Sequence, residues 1–199
     1  MPFFTEIEVA ILFLSILLVE LLLLPALLVS IFFPKHRIWP PLGKRSWQFW
    51  YVWFLTAVGL SGIPLIALLD FGSLELPLDQ PWRLTLGVSL FVGSVLFALW
   101  GIRTLSSQQT LGLQGELITT GPYRFTRNPQ YVGDIFAILG VILITNSMMG
   151  LITGVIGIFL FIFAPFSEEP WLKEQFGEQY QMYCQTTPRF LSLKSFQRK

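Results

Sequence analysis

Residues Tyr131 to Phe166 read YVGDIFAILGVILITNSMMGLITGVIGIFLFIFAPF. Two apolar runs, Tyr131–Thr145 and Met149–Phe166, are separated only by the turn around Asn146. Runs of this length and polarity read as helices that span a bilayer core. A turn this short returns the chain to the face it left, so the pair is expected to form a hairpin. Gly133, Gly140, Gly150, Gly154 and Gly157 would let its backbones approach closely.

The rest of the chain agrees with a membrane setting. Apolar residues make up 53% of the 199 residues and charged residues 13%, and mean hydropathy is +0.64. Three further runs qualify as spans: Val9–Phe33, Phe49–Leu69 and Leu84–Leu105. The fold expected is therefore an all-α integral membrane protein. It has about five transmembrane helices, a cytoplasmic connector and an amphipathic C-terminal helix. The last of these follows from Leu172, Phe176, Tyr180 and Tyr183 at three- and four-residue spacing, with Pro188 ending it. Residues 1–105 read as an N-terminal three-span region, and residues 106–199 as one functional unit of connector, hairpin and terminal helix. The first run reads as a retained span, since Glu6 and Glu8 stand where a leader would be basic.

Charge sets the orientation. Lys35, Arg37, Lys44, Arg45, Arg124, Arg127 and the C-terminal tail hold nearly all the basic residues. The N-terminus, the Asp70 loop and the Asn146 turn hold none, apart from Arg83 at a boundary. The positive-inside rule then places the N-terminus outside and the C-terminus in the cytoplasm. Net charge is +1, so nothing points to nucleic acid. A single cysteine, Cys184, and a single histidine, His36, leave no internal disulfide and no Cys/His metal cage. Any chemistry has to proceed without these. Glu20 lies mid-span, where a carboxylate is costly; it either locks helix packing or serves a function.

Two polar clusters stand at the two mouths of the hairpin. One is Tyr123, Arg124, Arg127, Asn128, Pro129, Gln130 and Tyr131; the other is Glu168, Glu169 and Trp171. The hairpin would bring both to one face and build one cytoplasmic pocket. Arg and Tyr at a helix end also serve as interface anchors, and paired Glu suits a helix start. The matched placement of both clusters favours a site.

These residues carry a resemblance. GPYRFTRNPQYVG followed by the hairpin and then EEPWLKEQFGEQYQMYCQTTPRF resembles the signature of the isoprenylcysteine carboxyl methyltransferase family. That family shares its C-terminal pattern with membrane phospholipid N-methyltransferases. The matching residues are Gly121, Tyr123, Arg127, Pro129, Tyr131, Gly133, Glu168, Glu169, Phe176, Gly177, Tyr180, Tyr183 and Pro188, within about the last eighty-five residues. Asn128 stands where the family usually has His, which leaves a binding role there and removes an acid–base one. The family's arginines before the paired glutamates are replaced by Ala164-Pro165-Phe166-Ser167.

The resemblance implies an S-adenosylmethionine site, with S-adenosylhomocysteine as product. Leu113, Leu117, Tyr123, Asn128, Pro129, Tyr131, Glu168 and Glu169 would bind the cofactor, and Arg127 and Asn128 would be the catalytic pair, Arg127 on a carboxylate of cofactor or acceptor. No metal is implied. The acceptor would be the carboxylate of a prenylated cysteine or similar lipid, entering from the bilayer past Trp100, Arg103 and Gln109. In-line transfer to a carboxylate needs no general base, whereas an amine acceptor needs a group to take its proton. The scarcity of such groups leans toward the carboxylate. A phospholipid amine methyltransferase is the first rival. YVGD with YCQTTPRF is also similar to the C-terminal part of NADPH-dependent sterol reductases, and a non-enzymatic membrane factor is the remaining alternative.

Overall fold

The computed structural model describes residues 4–192. Lys194, Arg198 and Lys199 of the basic tail lie outside them. The chain is helical: α1 (Glu6–Phe32), a 3-10 turn (Pro34–His36), α2 (Trp47–Leu69), α3 (Gln80–Thr104), a short α4 (Ser107–Thr110), a second 3-10 turn (Gly121–Arg124), α5 (Pro129–Thr145) and α6 (Met148–Thr186). No strand occurs among the described residues. Polar residues mark the helix starts. Thr5 and Glu8 form a capping box on α1, and Ser46 and Ser147 cap α2 and α6.

Four of these helices, α1, α2, α3 and α6, are long and apolar enough to cross a membrane. Leu14, Phe54 and Leu96 are among many large apolar side chains that face outward, as lipid requires. α5 has 17 residues, about 25 Å at the usual rise. It is bounded by Pro129 at its first turn and by Asn146 in a left-handed conformation (φ 53°) at its end. The expected C-terminal helix follows the last membrane segment without an intervening loop, and the two helices are joined across a kink within α6. That helix runs 39 residues and bends only at Gly177, whose backbone (φ 52°, ψ −125°) is non-helical. The membrane segment and Glu168–Glu169 lie before the kink, and Tyr180 and Tyr183 lie after it.

The hairpin glycines serve a different partner from the one expected. α5 packs most extensively on α3, and also against α6 and α2. A Cβ on Gly140 would stand 2.8 Å from the Phe91 backbone nitrogen, and one on Gly133 2.8 Å from the Ser94 carbonyl. Both seat α5 on α3, while Gly154 meets Ile138 and Ile142 of α5 within the hairpin itself. α1 packs on α2 and α6, but α2 and α3 do not form a packed pair.

The turn between α5 and α6 is held by charge. Arg83 is buried, and its Nη1 donates to the carbonyls of Leu143 (2.5 Å) and Ile144 (3.0 Å). It thus satisfies the open C-terminal carbonyls of α5 and complements the helix dipole. The one basic residue out of place in the charge pattern is a helix cap. Asp70 performs the matching task for α6: it accepts from Ser147 Oγ (2.6 Å), Ser73 Oγ (2.5 Å) and the Met149 N–H (2.8 Å). Burial alone would raise its pKa, yet these bonds outweigh it and hold the carboxyl below its ordinary value of 3.8. A folded-state pKa below the unfolded one stabilises the protein above the unfolded value and is lost as pH falls through the folded value. The melting temperature in detergent is expected to drop more steeply below pH ~4 for the native chain than for Asp70→Asn. Parallel acid profiles of the two proteins would show that Asp70 does not titrate in this way.

Candidate active site

The two polar clusters meet, and the C-terminal segment joins them. The Arg127 N–H donates to the Pro188 carbonyl (2.9 Å). Thr126 Oγ1 (2.8 Å) and Asn128 Nδ2 (2.9 Å) both donate to the Arg189 carbonyl. Tyr183 Oη donates to the Tyr123 carbonyl (2.6 Å). Burial pushes the Tyr123 phenol well above its ordinary pKa, so it stays a neutral group. The segment just before α5 is thus stitched to the chain after α6.

An ion-pair core lies beneath. Glu169 receives Arg189 through Nε (2.7 Å) and Nη2 (2.8 Å), and its Oε1 lies 3.2 Å from Arg127 Nη2. Arg127 Nη1 also reaches Tyr180 Oη (3.2 Å). Glu168, the neighbouring carboxylate, has a different role. It accepts from the Trp39 indole N–H (2.7 Å) and from the Tyr131 hydroxyl. Trp39 reaches it because Ser30 Oγ accepts the backbone N–H groups of Ile38 and Trp39, each at 2.9 Å, and folds the loop after α1 back over the bundle. Gly112 packs directly on the Trp39 ring; a Cβ there would come within 2.6 Å of it, and its φ of +73° is one that glycine adopts freely.

These groups border a cleft of about 830 Å³ that opens to solvent. Of the expected residues, Leu113, Leu117, Tyr123, Arg127, Asn128, Pro129, Tyr131 and Glu168 line it. Glu169 does not; it sits behind, in the ion-pair core. Asn128 lines the cleft with its amide N–H already given to Arg189. Gln109 lines the cleft as well, whereas Trp100 and Arg103 border neither this cleft nor the cavity beside it.

That cavity, of about 1210 Å³, lies deeper, among all five long helices. It shares Trp39, Thr110, Gln130 and Tyr131 with the cleft, so the two spaces meet at the first turn of α5. Its walls are apolar (Leu23, Val52, Leu60, Ile63, Leu160 and others) except for Glu20, Asp134 and a few neutral polar groups. No Lys, Arg or His borders it.

The comparisons with known proteins fit this geometry. Residues 82–179 match the phospholipid methyltransferase family. The matched segment holds α3, α4, α5 and α6 up to Gln179, hence most of the cleft and both glutamates. The methyl donor of that family is S-adenosylmethionine. The chain is also similar to phosphatidylethanolamine N-methyltransferase B of Dictyostelium discoideum, 34% identical over 101 residues. That similarity covers 47% of this chain and 50% of the relative, so the chain spans about half the length of the protein it matches. No solved structure gives a significant match. Both matches favour the rival reading, a phospholipid amine acceptor, over the carboxylate of a prenylated cysteine. Two carboxyl groups, Glu20 and Asp134, line the deep cavity.

Sequence reasoning passed over Trp39, Asp134 and Arg189 as site residues. The signals were slight: a tryptophan before Pro40-Pro41 in a basic loop, and an arginine directly after the closing Pro188.

Proposed function

We propose that this protein is an integral-membrane, S-adenosylmethionine-dependent methyltransferase that acts on the amine headgroup of a phospholipid. Its site faces the cytoplasm, as the charge distribution of the loops implies. The observation that carries the reading is the junction of a polar, solvent-open cleft with an apolar cavity whose charged lining is acidic only. A carboxylate acceptor would have to enter an apolar cavity whose ionisable lining is two acidic groups and no cation, so nothing there would pair its charge. A cationic amine headgroup has the complementary charge.

The cleft suits the donor. Arg127 Nε and Gln130 Nε2 are buried without a partner, and both residues line the cleft. The first-turn N–H groups of α5 stand beside them with no intrahelical acceptor. These donors would hold the carboxylate of the cofactor. Glu168 would receive its ammonium or ribose hydroxyls, and Leu113 and Leu117 would cover the adenine. Bound there, the cofactor supplies an electrophilic methyl group on a sulfonium.

The chain's own residues then align and enclose. Tyr131, fixed by Glu168, stands between cleft and cavity and sets where donor and acceptor meet. Orienting two reactants in a water-poor site supplies much of the rate enhancement of such a transfer. The unpacked seam between α2 and α3, both of which line the cavity, is the path by which acyl chains remain in the bilayer.

The test is transfer of labelled methyl groups by the purified protein in vesicles. Phosphatidylethanolamine vesicles are expected to give base-stable methylated lipid. Vesicles lacking an amine lipid, given a farnesylcysteine analogue, are expected to give no base-labile methyl ester. Ester formation without amine methylation would overturn the reading.

A further inference from the structure

Glu20 is 1% exposed, and neither of its carboxylate oxygens has a hydrogen-bond partner. Its mid-span position makes that arrangement costly, and such a residue is retained where it serves a ligand or a proton path. The surroundings leave room for it. A Cβ on Gly59 would lie 3.9 Å from its Cγ, and one on Gly157 3.5 Å from its Oε1. Both glycines line the same cavity as Glu20. α1 therefore places a carboxyl group between α2 and α6 at the cavity wall, buried and without a hydrogen-bond partner.

Other ionisable groups near it are few. From α5, Asp134 lines the same cavity and makes no hydrogen bond or ion pair among the described residues. Tyr131, also from α5, is committed to Glu168. From α2, Tyr51 gives its hydroxyl to the Leu22 carbonyl. From α6, Glu168 accepts from Trp39 and Tyr131. α3 contributes only Ala98 and Ile102. Glu20 and Asp134 are thus the acidic groups that line, without a hydrogen-bond partner, a cavity bordering the donor cleft.

We infer that Glu20 and Asp134 form the acceptor's ammonium site, and that Glu20 takes the proton released from the amine. The inference deepens the amine-methyltransferase reading and rests on it. A headgroup ammonium enters paired with two carboxylates, which offsets the desolvation of all three charges. Its proton passes to Glu20, leaving a neutral amine with a free lone pair. That lone pair forms the new N–CH3 bond as the S–CH3 bond breaks, and the bonding electrons leave with sulfur. The product is an ammonium one methyl richer, held by Asp134. A neutral amine must exist before attack, and a neighbouring carboxylate in an apolar cavity is a suitable proton acceptor. The aromatic faces of Trp53, Tyr131 and Phe161 on the same cavity suit a methylated ammonium.

Two measurements test this. The first needs no donor: binding of dihexanoyl phosphatidylcholine and dihexanoyl phosphatidylglycerol, read by tryptophan fluorescence. The native protein is expected to prefer the ammonium lipid, and Glu20→Gln and Asp134→Asn each to weaken that lipid ~10-fold while leaving the glycerol lipid unchanged. Equal loss for both lipids, or no loss for either, would overturn the ammonium site. The second is the pH profile of methyl transfer to phosphatidylethanolamine. Glu20→Gln is expected to lower kcat ~100-fold, with KM for the donor unchanged and the rising limb displaced to higher pH. Glu20→Asp is expected to retain the native profile at a rate reduced ~10-fold. A native profile and near-native kcat in Glu20→Gln would overturn the proton-acceptor role. S-adenosylhomocysteine binding by each variant shows whether it is folded; should Glu20→Gln fail to bind it, Glu20→Asp and Asp134→Asn decide. If the native protein methylates no amine while the lipid preference holds, the enzyme reading fails and the ammonium site stands.

Discussion

Glu169→Ala is expected to be the most destabilising single substitution at the cleft end of the bundle, at about 3 kcal/mol, the low end of the range for breaking a buried ion pair. Two guanidinium groups converge on this carboxylate, Arg189 through two bonds and Arg127 at 3.2 Å. The Arg127 side chain is only 10% exposed, so its charge would be left without a counter-ion and with little water. Arg189, at 30%, can recover some hydration, which argues against the upper end of the range. The loss should extend to the stitch formed by Arg127, Thr126 and Asn128 on Pro188 and Arg189, because both arginines anchor it. A thermal melt in detergent checks the stability, and S-adenosylhomocysteine titration checks the cleft. Melting within a degree or two of the native protein would show that the ion pairs contribute little.

Glu168→Ala should act on binding more than on folding. This carboxylate is held by Trp39 and Tyr131, residues from two other parts of the chain, and it borders the cleft. Its removal frees two donors that border the open cleft, where water can take the place of the carboxylate, and frees the ring that separates cleft from cavity. S-adenosylhomocysteine is expected to bind ~10–100-fold more weakly, consistent with losing one to two hydrogen bonds to the carboxylate. Glu168→Gln keeps an acceptor oxygen and should lose less. Near-native affinity in Glu168→Ala would place the cofactor elsewhere. The neighbouring glutamates are therefore expected to separate: Glu169 on stability, Glu168 on ligand affinity.

Much of this was legible in the residues. The apolar runs announced the helices because bilayer thickness sets their length. The matched polar clusters at Arg127 and Glu168 announced a pocket because a short turn returns the chain to one face. What was hidden depended on contacts between distant segments. Nothing local shows that Gly133 and Gly140 serve α3, or that α6 continues past Pro170. Trp39 gives no local sign of a place at the cleft until Ser30 is seen folding its loop over it. Arg83 looked like an exception to the charge rule, and its distant partners at Leu143 and Ile144 explain it. The comparisons favour an amine acceptor over the carboxylate expected from the sequence, and the residues proposed to serve it were hidden for the same reason. Glu20 and Asp134 are far apart in the chain, and only the packing of α1 and α5 around one cavity makes them a pair.

The most direct test is a structure of the protein with S-adenosylhomocysteine. The ligand is expected in the cleft, with its sulfur at the first turn of α5 beside Gln130 and Tyr131, facing the cavity that holds Glu20 and Asp134. A ligand bound outside the cleft, or one whose sulfur faces solvent with Tyr131 and Glu168 between it and the cavity, would contradict the account.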